Sequence, residues 1–224
     1  IVDGEGIDVT ANYSLTTKTA SKLDITDRTE KYAITVEANS STGNIYDGTA
    51  KSATGFKTLS FTVEGNTYTV EGLTTSDPSS TNVATLTNAI SGTAIVKDAD
   101  DNDVTAQFTV ETKNGSLEIG KREITVAVED KSVEYNGSEQ YGNSEYAFSN
   151  VVSGQTATIG YTAAKGTLVG TYENGEYADD LAIVDGEGNN VTANYSLTTK
   201  KAGQLNTTDR TEKYAITVEA NSST

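Results

Sequence analysis

IVDGEGIDVTANYSLTTKTASKLDITDRTEKYAITVEANSST, residues 1–42, comes back at residues 183–224 as IVDGEGNNVTANYSLTTKKAGQLNTTDRTEKYAITVEANSST. The two stretches differ at seven positions: Ile7, Asp8, Thr19, Ser21, Lys22, Asp24 and Ile25 of the first copy. Chance does not produce this, so the chain carries a unit that repeats with a period of 182 residues. A second, more diverged repetition lies inside that unit. VTANY at Val9–Tyr13 returns as VTAQF at Val104–Phe108 and as VTANY at Val191–Tyr195, and ITV begins at Ile34, Ile124 and Ile216. Tyr46-Asp47-Gly48-Thr49 matches Tyr135-Asn136-Gly137-Ser138, and VEGNTYTV from Val63 matches VSGQTATI from Val152. The unit is therefore two domains of about 90 residues, an ordinary size for a β-sandwich module.

Cutting before each ITV strand gives complete domains at residues 33–122 and 123–214. Residues 1–32 then read as the back half of a preceding repeat, and residues 215–224 as the first strand of a following one. The expectation is a piece of a longer array.

Strand, not helix, is the local signal. Ile34, Val36 and Ala38 alternate with polar residues, as do Ile124, Val126 and Val128, and a period of two places one face on a core. The same reading extends each VTANY-type motif as a strand, with Val9, Ala11, Tyr13 and Leu15 on one face and Val104, Ala106, Phe108 and Val110 likewise. Asp3-Gly4-Glu5-Gly6, Gly65-Asn66, Asn114-Gly115, Gly154-Gln155, Asn174-Gly175 and Asp185-Gly186 supply turns between such runs. The predicted fold class is all-β: tandem Ig-like antiparallel β-sandwich domains arranged end to end, with β-grasp-like modules as the alternative. Four residues, Gly120 to Glu123, separate Ile119 from Ile124, and eight, Thr26 to Ala33, separate Ile25 from Ile34. Links this short restrict bending, so a stiff rod is expected, stiffer at the shorter link.

Composition narrows the chemistry. With no Cys, His, Met or Trp, the chain has no thiol or imidazole for nucleophilic, general-base or zinc chemistry. A net charge of −16 repels phosphate and anionic lipid, which argues against nucleic-acid partners, and no apolar run suggests membrane insertion. Repetition of a near-identical unit multiplies length or avidity, not turnover, so the chain is not expected to be an enzyme and no catalytic residue is assigned.

The order ITV, YDGT, VGTY, DGxGxxVTxNY and a closing NGSLEI strand resembles the MBG and YDG families of tandem repeats in large bacterial surface adhesins. The marks are Tyr46–Thr49, Val169-Gly170-Thr171-Tyr172, Asp185–Tyr195 and Asn114–Ile119. The resemblance implies an exported domain at the bacterial cell surface, used in adhesion. The first domain departs from it at Val83-Ala84-Thr85-Leu86, and the second at Gly203-Gln204-Leu205-Asn206-Thr207, which favours a structural role for the motif.

Three groups of residues offer sites. Asp98, Asp100, Asp101 and Asp103 could hold calcium through oxygen ligands, but they lack the Gly and bidentate Glu of an EF-hand, and a solvated hairpin is the plainer reading; no cofactor is expected. Tyr141, Tyr146, Tyr172 and Tyr177 could stack on sugars, although Leu86 stands where the second domain has Tyr172. Lys57, whose equivalent position in the next domain reads as Tyr146, could form a self-made isopeptide crosslink if buried beside an Asn and an acid; a snorkelling strand-end lysine is the alternative. The function expected is a structural stalk or spacer whose partners are neighbouring repeats. The alternatives are a module binding glycan or a host surface protein by avidity, and a filament subunit completed by strands from neighbouring copies.

Overall fold

A computed structural model describes residues 1–220. Its regular elements are strands, and among the described residues the helical segments are three single 3-10 turns. The protein is all-β.

Each repeat is organised by its first and last strands. In repeat 1, Tyr32–Glu37 lies beside Phe108–Lys113, and after a break Ser41–Ile45 lies beside Gly115–Gly120. Repeat 2 copies this with Arg122–Val128 beside Tyr195–Lys201 and Lys131–Glu134 beside Leu205–Thr208. All four pairings are parallel, which corrects the expectation of purely antiparallel sheets. Two parallel neighbours need a long connection between them, and here the whole body of the repeat provides it. Gly115 marks where the two strands cross: a Cβ there would lie 2.0 Å from the Asn39 carbonyl oxygen, so only glycine allows the backbones to touch. Gly203 holds the matching place against the Glu129 carbonyl.

The intervening chain pairs antiparallel. Ser60–Val63, Asn66–Thr75 and Ile90–Lys97 form one three-stranded sheet, and Ala84–Asn88 flanks Gly115–Gly120. Glu64 and Gly65, both at positive φ, close the hairpin from Val63 to Asn66, the backbone that a two-residue turn between twisted strands requires. In repeat 2, Tyr146–Ser149 pairs with Arg122–Val128, Gly170–Tyr172 with Leu205–Thr208, and Thr156–Thr158 with Ala182–Val184.

Alternation places Ile34, Val36 and Ala38 inward, and Ile124, Val126 and Val128 as well. The VTANY-type motifs are different. Thr10–Asn12, Thr105–Gln107 and Thr192–Asn194 are 3-10 turns, each followed by an extended residue at Tyr13, Phe108 and Tyr195. Ala106 is therefore exposed while Phe108 is buried, and the four-residue face read from the sequence does not exist. The cause is a side chain two residues ahead of the turn. The Thr10, Thr105 and Thr192 N–H groups donate to Asp8, Asp103 and Asn190 at 2.9, 2.9 and 3.0 Å, an Asx turn that competes with the strand ladder.

Residues 1–31 contain no strand. Their elements are a bridge between Val2 and Asp8 and the turn at Thr10–Asn12. Tyr13 is 61 % exposed, whereas its counterpart Tyr195, which has the strands of repeat 2 around it, is 4 % exposed. Likewise Tyr32–Glu37 is a strand, while the identical residues 214–219 are not; residues 221–224 of that proposed strand lie outside the described residues. The accessible surface is 15087 Å2, about 1.5 times the roughly 9,800 Å2 that a compact monomer of this mass exposes.

Candidate functional site at the junction between the repeats

The residue groups singled out in the sequence do not assemble into a pocket. In the Asp98–Asp103 hairpin the carboxylates serve their own loop. Asp98 accepts from the N–H groups of Asp100 and Asn102 and from the Asn102 side chain, Asp101 accepts from the Lys97 ammonium at 2.9 Å, and Asp103 accepts from Thr105. The Asn102 and Thr105 donors hold the Asp98 and Asp103 carboxyls, respectively, below their ordinary range. Among the described residues, no three Asp, Glu, His or Cys side chains converge as a cation site.

The four tyrosines separate. Tyr172 lies across Gly166 and both donates to and accepts from the Leu168 backbone. Tyr177 packs against Tyr161 with ring centres 4.6 Å apart and the rings tilted by 47°, and donates to the Lys201 carbonyl. The Tyr146 hydroxyl accepts from Ile159. Tyr141 stands in solvent and donates to Glu139. Lys57 is exposed in an ion pair with Glu37, which Lys113 also approaches. Lys57 N–H donates to the Glu37 carbonyl, and Phe56, one residue earlier, pairs with Ala38 as Tyr146 pairs with Val128. The counterpart of Lys57 is thus Ala147, not Tyr146.

What the fold does assemble is the boundary between repeats. One hydrophobic cluster contains Tyr46, Ala53, Leu117 and Ile119 of repeat 1 together with Ile124, Ile183, Val191 and Tyr195 of repeat 2. A separate cluster, built on Ile34, Val36, Val70, Val96 and Phe108, fills the front of repeat 1. The second core is therefore shared by the back of one repeat and the front of the next.

A chain of polar groups runs through it. The rings of Tyr46 and Tyr195 meet edge to face at 5.3 Å. Gln155 joins their hydroxyls: its Nε2 donates to the Tyr46 oxygen at 2.8 Å, and its Oε1 accepts from the Tyr195 hydroxyl at 2.6 Å. Burial pushes the Tyr195 phenol up, which keeps the donated proton in place. Beside it, Asn194 accepts from the Val83 N–H at 2.8 Å and donates to the Asn82 side chain at 2.9 Å. Arg122 fastens the link itself, donating to the Asn150 carbonyl and side chain at 2.6 and 2.7 Å and to the Tyr46 carbonyl at 3.4 Å. Partnered groups of this kind fix one orientation, because any rotation leaves buried donors unmet.

Sequence reasoning recognised the shortness of the link but missed Tyr46, Asn82, Gln155, Asn194 and Tyr195 as a set. The available signal was an apolar-to-polar exchange between the repeats: Phe108 against Tyr195, with its hydroxyl added in the second domain. Comparison with protein-family models, with curated proteins and with solved structures gives no match.

Proposed function

We propose that the chain is a spacer: a stretch of structural repeats that sets a distance between what lies on either side of it. The observation that carries this reading is the core shared across the repeat boundary, with its Tyr46–Gln155–Tyr195 chain. A binding module has no need of a boundary that excludes water and fixes orientation, whereas a rod does. In this reading each repeat is an Ig-like sandwich, its inward residues packed between small facing sheets, and the chain is a relative of the MBG and YDG repeats of bacterial surface adhesins, working outside the cell with neighbouring repeats as its partners.

Solution scattering of the 224-residue chain tests the proposal. End-to-end repeats require a radius of gyration well above the roughly 17 Å of a compact protein of this length; a value near 17 Å refutes the spacer. A glycan array separates it from an avidity module, since a spacer leaves the array blank.

A second reading is a filament subunit, in which a neighbouring copy covers Tyr13, Leu15, Leu23 and Ile25. Light scattering distinguishes it, because such a subunit polymerises.

A further inference from the structure

The 182-residue period contains two kinds of junction, and the one just described is repeat 1 followed by repeat 2. Where repeat 2 is followed by repeat 1, the same chemistry is missing. The strand registers place Tyr135 for Tyr46, Phe108 for Tyr195, Gln107 for Asn194, and Leu168 and Val169 for Asn82 and Val83, and the matching hairpins place Asn66 for Gln155. Phe108 has no hydroxyl, Leu168 has no amide, and Asn66 is one methylene shorter. This junction must be held in another way.

Its link is Asp-Arg-Thr-Glu-Lys-Tyr, present at Asp27–Tyr32 and again at Asp209–Tyr214. Both copies fold alike. The Arg28 and Arg210 Nε groups donate to the Glu30 and Glu212 carbonyls, each at 2.8 Å, and the guanidinium groups sit 4.0 and 4.3 Å over the Tyr32 and Tyr214 rings. The first copy has repeat 1 after it. There Gln107 donates to the Asp27 carboxylate at 2.6 Å and accepts from the Arg28 N–H at 2.8 Å, and Tyr32 packs on Phe108. The second copy has repeat 2 before it. There the Thr211 hydroxyl donates to Glu134 at 2.6 Å, and the Tyr214 hydroxyl to the Asn136 carbonyl at 3.2 Å. The two sets use different groups of one motif, so one link can make both at once.

We infer that this link is a clamp that seats a copy of repeat 1 on the far end of repeat 2. Its upstream side grips Glu134 and Asn136, and its downstream side grips Gln107 and Phe108. The seated repeat covers Leu168 and Val169, which are 66 % and 48 % exposed, whereas Val83, the counterpart of Val169, packs against the shared core of the first junction. The inference rests on the spacer reading, in which repeats follow one another without a gap.

The test uses the full chain extended beyond Thr224 by a further copy of residues 43–224, which continues the period. The sequence has no cysteine, so spin labels go only where cysteines are introduced. Thr49 and Ser153 both line the cleft at the first junction; Ser138 and Glu64 are their counterparts at the second. Ser138→Cys with Glu64→Cys in the appended unit should give a narrow distance distribution matching that of Thr49→Cys with Ser153→Cys. Gln107→Ala in the appended unit should broaden it roughly twofold, as a released link samples more conformations. A broad distribution in the parent, a narrow one at a clearly longer distance, or no response to Gln107→Ala overturns the clamp. If only the second junction is broad, the clamp fails and the spacer stands. If the first is broad as well, the spacer fails with it.

Discussion

Replacing Gln155 by alanine should loosen the whole two-repeat body, because one side chain satisfies two buried hydroxyls that belong to different repeats. The Tyr46 oxygen then loses the Gln155 donor, while the Tyr195 oxygen keeps the Val152 N–H at 3.2 Å but loses its acceptor. At about 1–3 kcal/mol for each of the two buried groups left without a partner, the cost is about 2–6 kcal/mol. For a chain of this size that lowers Tm by about 4–24 °C. Scanning calorimetry reads the shift, and the triple variant Gln155→Leu, Tyr46→Phe, Tyr195→Phe is the control. Removing the three side chains together should recover part of the loss, since apolar groups of similar shape then leave only the Val152 N–H without its acceptor. A Gln155→Ala protein that melts within about 1 °C of the parent would refute the reasoning, for the network would then be solvated.

Other expectations follow from single residues. Thr207 is buried and its hydroxyl has no hydrogen-bond partner among the described residues, and its counterparts are Ile25 and Ile119; Thr207→Ile should raise stability by about 1–2 kcal/mol in denaturant titration. Gly115→Ala forces a methyl group into the Asn39 carbonyl and should cost about 3 kcal/mol, read the same way. The Lys51 ammonium and the Thr49 hydroxyl and N–H hold the Asp47 carboxyl well below the ordinary carboxylate range, and Asn189 lowers that of Asp185. Because these folded values are depressed, the stability they bring is present above the unfolded pKa near 4 and is lost as pH falls, so Tm should drop between about pH 4 and pH 2. Millimolar calcium should leave Tm unchanged, because the carboxylates of the Asp98 hairpin already serve their own loop; a rise would establish a cation site.

The strand content was legible because Ile34, Val36 and Ala38 alternate, and their counterparts repeat the pattern. The 3-10 turns were not, since Val104, Ala106 and Phe108 alternate equally well. Their mark was the Asp or Asn two residues ahead of the threonine, a local hydrogen bond that hydrophobic period does not register. Parallel pairing of Ile34 with Val110 joins residues far apart in sequence, and no local signal encodes it. The shared core was hidden for the same reason: Tyr46 and Tyr195 each read as an ordinary inward-facing residue until the fold placed them edge to face.

The parallel partnership of first and last strands has a mechanical consequence. A load applied to the two ends of a repeat acts along strands that lie side by side and point the same way, so it shears the ladder from Tyr32–Phe108 to Glu37–Lys113 and stresses its hydrogen bonds together instead of unzipping them singly. The repeat should yield abruptly at high force, and because its back core is also its neighbour's front core, rupture of one should expose the next.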